Sequence, residues 1–223
     1  MAKPSVLIVG ASRGIGFEFV RQYQDAGWRL LATARDAAGA GRLASRGATV
    51  LDLDVTSGAS IAAFTRAIAG ERLDLALYVA GISSSGGARA APTKTQFDAV
   101  MHTNVLGAMQ LIPAVAPRVA AAGGKFVFIS SGMGSIADVS SSYAWLYRVS
   151  KAALNMAVRA AAMDHPQVIM TLMNPGWVKT DMGGPGATLA VEQSVSAMRK
   201  VIARLTAKDS GTMVGYDERR WPW

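Results

Sequence analysis

The chain has 223 residues, 51% of them hydrophobic and only 17% charged, with a formal net charge of +8, no cysteine and two histidines. That length and apolar content suit one α/β domain with a large core, read here as residues 1–223, and argue against disorder. Without thiols there are no disulfides, thiol nucleophiles or thiolate metal sites. His102 and His165, far apart and read as structural, leave no metal expected.

In chain order, Ser5–Val9 is a continuous apolar run that predicts a buried strand. Gly10-Ala-Ser12-Arg13-Gly14-Ile15-Gly16 follows and opens a helix to Ala26, closed by Gly27. A glycine turn between a first strand and a first helix lets backbone approach a pyrophosphate, and the helix N-terminus faces its charge. The spacing is G-x-x-x-G-x-G. Arg29–Thr33 predicts a second strand, with Ala34-Arg35-Asp36 at its end. Dinucleotide sites place a ribose-reading acid here for NAD and a cation for the 2′-phosphate of NADP. Arg35, seconded by Arg13 in the glycine loop, favours NADP(H); NAD(H) bound by Asp36 is the alternative.

Asp36–Arg46 predicts a helix, Ala48–Leu53 a strand, Ser57–Ala69 a helix capped by Ser57, and Leu73–Val79 a strand. Residues 82–94 are rich in Gly, Ser and Ala and predict a loop. A long helix is expected from Thr95 to about Ala121, kinked near Pro113 and Pro117. Lys125–Ser130 predicts a strand, 132–142 a loop, and then a helix to about Met163. Val168–Met173, a loop over 174–187, a helix Ala190–Leu205 and a last strand Thr212–Tyr216 complete the chain. The alternation specifies a parallel sheet of about seven strands, doubly wound, with helices on both faces.

Tyr147-Arg-Val-Ser-Lys151 lies at the start of the fifth helical segment. The i, i+4 spacing puts phenol and ammonium on one face. A neighbouring ammonium favours the phenolate, bringing a group that titrates near pH 10 toward usefulness as an acid/base.

These two motifs, in this order, resemble the short-chain dehydrogenase/reductase family, and matches run along nearly the whole chain. Asp54-Val55 resembles the family's adenine-contacting pair. Ala80-Gly81 is similar to the end of its Asn-Asn-Ala-Gly motif. Asn104 sits where its catalytic asparagine does, and Ser131 ends Ile129-Ser130-Ser131 like its catalytic serine. Asn174-Pro175-Gly176 resembles its Pro-Gly turn, with Val178 and Thr180 following toward the nicotinamide. The stretch 175–184 and the Trp-Pro-Trp ending, 221–223, are similar to carbonyl reductases of the sniffer and C-factor type.

The resemblance implies an NADP(H)-dependent carbonyl reductase or alcohol dehydrogenase. Tyr147 would be its acid/base, Ser131 a hydrogen-bond donor to the substrate oxygen, Lys151 the group that tunes Tyr147 and holds ribose, and Asn104 the holder of a water leading to Lys151. A cofactor-binding signalling protein with little turnover is the alternative. Two departures stand out. Tyr78-Val79 replace the asparagine pair, and the missing tie between strands is expected to loosen the site. Ser131 precedes Tyr147 by sixteen residues, where thirteen is usual; Ser130 and Tyr143 have the usual spacing but no lysine, and Ser135 is the fallback serine. Trp145, Leu146, Trp177 and Met182 are candidate pocket walls.

The partner expected is a small carbonyl or alcohol substrate. The basic residues (Arg21, Arg42, Arg66, Arg118, Arg159, Arg204) are scattered, so no nucleic acid is expected; only Glu218-Arg219-Arg220-Trp221 suggests a local patch. The start lacks a long apolar run and no stretch of about 18 apolar residues appears, so the reading is cytoplasmic with no membrane partner. The family habit and the alanine-rich face at 152–162 point to a homodimer or homotetramer.

Overall fold

The computed structural model describes residues 3–223. Seven parallel strands form one sheet in the order β3-β2-β1-β4-β5-β6-β7. They are β1 (Ser5–Val9), β2 (Arg29–Ala34), β3 (Thr49–Asp52), β4 (Leu75–Tyr78), β5 (Lys125–Ile129), β6 (Ile169–Asn174) and β7 (Met213–Gly215). The helices are α1 (Gly14–Asp25), α2 (Ala37–Ala44), α3 (Gly58–Ala67), α4 (Lys94–Met101), α5 (Gly107–Ala120), α6 (Trp145–Asp164) and α7 (Val191–Arg204).

Alternate residues of the strands feed two cores, as a pleat with both faces covered requires. Leu7, Val9, Phe126 and Phe128 meet α3, α5 and α6, where Phe64, Leu111, Val115, Leu154 and Val158 are buried. Val6, Ile8, Val127 and Ile129 meet α1, α2 and α7 through Phe19, Leu43, Val195 and Met198. The direction of winding reverses between β1 and β4, so a crevice opens at their carboxyl ends, where such sheets bind ligands.

Helix starts follow local chemistry. Ser57 accepts the Ser60 N–H at the start of α3, and Thr93 with Gln96 forms a reciprocal cap on α4. The expected kink at Pro113 and Pro117 is not where the long helix departs from α geometry. The departure lies earlier, in a π-helical turn at His102–Leu106. Both prolines lie inside α5 on its exposed side, four residues apart, and the helix continues through them. The combined Lys94–Ala120 helix is long and apolar enough to cross a membrane, but 61% of its most apolar window is buried within the protein.

The C-terminal basic run is largely neutralised by its own fold. Arg219 pairs with Asp138 at 2.8 Å, Arg220 with Asp209 at 2.5 Å, and Glu218 with Arg204 at 2.7 Å.

Candidate active site

Every strand from β1 to β6 delivers a candidate residue at its carboxyl end: Gly10, Arg35, Asp54, Ala80, Ser131 and Pro175. At the crevice between β1 and β4, Gly10 adopts φ +84° and packs so closely that a Cβ there would lie 2.6 Å from Ala80 N. Only glycine combines that backbone with that approach. A Cβ on Gly16 would fall 2.1 Å from the Gly10 carbonyl, so α1 starts tight against the loop. Gly14 faces Thr180, whose Cγ2 is 3.5 Å from the position of a Cβ, so the loop after β6 roofs the glycine loop. Arg13 lies 4.0 Å from Asp181 on the same roof.

At the end of β2, Asp36 caps α2: its Oδ1 accepts the Gly39 N–H at 2.6 Å. That carboxylate is committed to the helix, while Arg35 is exposed beside it and Arg42 donates to the Ser12 carbonyl at 3.2 and 3.3 Å. The corner therefore gathers three guanidinium groups, and Arg42 is the one that sequence reasoning missed. Asp54 accepts from the Thr56 N–H and hydroxyl at 2.9 and 2.7 Å, and these bonds hold its carboxyl below the ordinary range.

Tyr147 and Lys151 come together as their spacing requires, with Lys151 Nζ 5.6 Å from the centre of the Tyr147 ring. Lys151 is buried and donates to the Ile129 carbonyl at 2.9 Å. Burial lowers it to about 8. Burial also pushes the Tyr147 phenol up to about 12, against the nearby Ser131 hydroxyl, which favours the phenolate. Desolvation outweighs the Ser131 contribution, so the phenol is held above its ordinary value rather than brought toward neutrality.

Of the three candidate serines, Ser131 is the one close enough to act on the Tyr147 phenol. Ser135 is buried with its Oγ accepting the Asp138 N–H at 3.2 Å. Ser130 donates to Asn155 Oδ1 at 2.6 Å, and Tyr143 is 65% exposed, so the thirteen-residue pair does not form. Asn104 is fully buried. Its Oδ1 accepts the Ile82 N–H, and its Nδ2 donates to the Ile82 carbonyl and the Ser150 hydroxyl, all within 2.9 Å. Ser150 in turn donates to the Tyr147 carbonyl at 2.8 Å. These bonds tie the loop after β4 to the first turn of α6. A Cβ on Gly81 would sit 3.3 Å from Asn104 Oδ1 and 3.6 Å from Lys151 Nζ, which places Gly81 against both.

Tyr78 corrects the expectation of a loosened site. Its buried hydroxyl donates to the Thr103 carbonyl at 2.7 Å, inside the π-helical turn that carries Asn104. A π turn frees carbonyls from the α ladder, and here a phenol from β4 takes one of them. Of the candidate walls, Trp177, Met182 and Trp145 are exposed, whereas Leu146 is buried. Trp145 lines a cavity of about 430 Å³ with Met133, Ile136, Val139 and Val149. Trp177 donates its indole N–H to the Gly183 carbonyl at 2.9 Å, closing the 177–183 turn on itself.

Comparison with known proteins agrees with this fold. The family model for short chain dehydrogenase matches residues 4–188. The C-signal protein of Myxococcus xanthus is 42% identical over 123 residues, covering 54% of this chain and 74% of that protein. The NADPH-bound carbonyl reductase from chicken fatty liver superposes over 100% of both chains with TM-score 0.90 and 32% identity. The carbonyl reductase Sniffer of D. melanogaster does so over 100% of both chains with TM-score 0.91 and 26% identity.

Proposed function

The chain belongs to the short chain dehydrogenase family, and from that premise we propose that this oxidoreductase uses NADPH to reduce a small carbonyl compound, with Tyr147 as the proton donor. The observation that carries the reading is the placement of half-buried Tyr147 beside Ser131 and Lys151 at the carboxyl edge of the sheet, with burial holding its phenol above the ordinary value. NADPH when bound supplies a hydride for the carbonyl carbon. The phenol of Tyr147 gives its proton to the carbonyl oxygen as negative charge develops there. Ser131 Oγ directs a hydrogen bond to the same oxygen, an oxyanion-type role. Lys151 would hold the nicotinamide ribose, and its ammonium beside Tyr147 favours the phenolate left behind. Asn104 holds Ile82 and Ser150 and so fixes the backbone on either side of the reacting groups.

The residues present fit NADP. Gly10 puts no side chain where the loop meets Ala80, so backbone alone lines the crevice at that point. Asp36 is spent on a helix cap, while Arg35 and Arg13 remain to meet a 2′-phosphate. Titration calorimetry with NADPH and NADH on wild type and Arg35→Ala tests this. Wild type should bind NADPH at least about tenfold more tightly, and the variant should lose most of that preference. Equal affinities in wild type would overturn the cofactor assignment.

A second copy of the chain is the proposed protein partner. Phe97, Leu106, Met109, Val149 and Met156 are exposed on the outer faces of α4, α5, α6 and the turn between α4 and α5, a larger apolar display than isolated surface residues require. Light scattering should give a multiple of the chain mass, reduced to the monomer by Met156→Lys.

A further inference from the structure

The Trp-Pro-Trp ending has no part in the reaction as described, yet the loop that carries Ser131 is built around it. Ser131 caps a single 3₁₀ turn, Gly132–Gly134, by accepting the Met133 N–H at 3.1 Å. A Cβ on Gly132 would lie 2.5 Å from the ring of Trp221. A Cβ on Gly134 would lie 2.9 Å from both the backbone carbonyl carbon and Cβ of Lys151. The turn is therefore a slab one residue thick, held between the indole on one side and α6 on the other. Neither glycine can become larger without moving the turn or its neighbour.

The rest of the tail grips the same loop. Trp221 N donates to the Met213 carbonyl at 2.9 Å, so the chain returns along β7. The Trp223 carbonyl accepts the N–H groups of Ile136 and Ala137 at 2.5 and 2.9 Å. Arg219 lies 4.2 Å from the Trp221 ring centre and pairs with Asp138 at 2.8 Å. The buried indole N–H of Trp221 has no hydrogen-bond partner among the described residues, so packing holds the ring in place.

We propose that Trp221 is a positioning residue: the Arg219–Trp223 segment presses the Gly132–Gly134 turn against α6 and so sets Ser131 Oγ relative to Tyr147 and Lys151. The kinetic consequence rests on the reductase reading; the mechanical one does not. Misplacing a catalytic group by about 1 Å costs on the order of 100-fold in rate.

Two measurements test it. Amide hydrogen exchange over 131–138 should quicken in Trp221→Ala while the 145–160 segment stays protected, and Trp221→Phe, which restores a ring on Gly132, should return it to the wild-type pattern. In a double-mutant cycle, Trp221→Ala should lower kcat by about 10- to 100-fold with the NADPH Kd held. In a Ser131→Ala background the same change should cost no more than about twofold. If Trp221→Ala does not fold, Trp221→Leu, which keeps apolar bulk without the flat ring, takes its place in both measurements. Unchanged exchange over 131–138, or an equal loss of kcat in both backgrounds, would overturn the proposal. Should wild type reduce no carbonyl compound, the reductase reading falls and the exchange result still decides the clamp.

Discussion

Burial sets the resting protonation of the two central side chains, and it sets them in opposite directions. Tyr147 is held up to about 12 and Lys151 down to about 8. A phenol protonated throughout the neutral range is prepared to give a proton, which favours reduction. The reverse reaction needs the phenolate, so oxidation of an alcohol should rise toward alkaline pH while reduction stays flat through neutrality. Tyr147→Phe should lower kcat by about 10²- to 10⁴-fold and leave NADPH affinity near wild type, a split that steady-state kinetics and calorimetry read together. Lys151 also makes stability depend on pH. Its folded value lies below the ordinary 10.5, so between about 8 and about 10.5 the unfolded chain binds more protons and stability rises with pH. Below about 8 the whole cost of burying the charge is present. Lys151→Met should therefore raise the Tm of the cofactor-free protein at neutral pH, with the gap narrowing as the pH approaches 10.5. A gap that widens with pH would contradict the assignment.

At the scale of elements, the α4–α5 helix and the start of α6 carry the local irregularities that shape the site. The π-helical turn at His102–Leu106 turns Asn104 inward, and the Tyr78 hydroxyl holds its Thr103 carbonyl. Tyr78→Phe removes one buried hydrogen bond and leaves that carbonyl without its partner, so it should cost about 1–3 kcal/mol in denaturant unfolding. It should also raise exchange at the Ile82 amide, which Asn104 holds. At the start of α6, Ala144 is buried in the left-handed region at φ +56°. An L-residue there costs about 1–2 kcal/mol relative to the right-handed form, and glycine does not carry that penalty. Ala144→Gly should consequently be neutral or stabilising by up to about 1 kcal/mol, the reverse of the usual effect of placing glycine at a helix end. A clear loss of Tm would show that the conformation is not strained.

The same elements mark the limit of what the sequence made legible. The glycine loop and the Tyr147–Lys151 pair were readable because each is a short motif whose partners lie within one turn of backbone. The strand–helix alternation was readable because each strand is a continuous apolar run bounded by turn residues. The π turn was not, because the phenol that holds it lies 25 residues away on β4. Proline chemistry pointed to residues 113 and 117 instead, where the helix runs on with both rings on its exposed side. Arg42 and the Trp221 clamp were missed for a similar reason: both act on backbone groups far along the chain, and no local pattern signals such a contact.

For the whole molecule, a doubly wound sheet collects six strand ends at one edge, and that edge holds everything the proposed reaction needs. The glycine loop and arginine corner lie toward β1 and β2, the proton donor and its serine toward β5, and the roof over them comes from the loop after β6. The most direct test of the account is transfer of deuterium from NADPH labelled at the nicotinamide C4 to a panel of aldehydes and ketones, by wild type and by Tyr147→Phe. The account predicts label on the alcohol carbon with wild type and its near-complete loss in the variant while NADPH still binds. Absence of label from every carbonyl compound, or transfer by Tyr147→Phe at the wild-type rate, would contradict it.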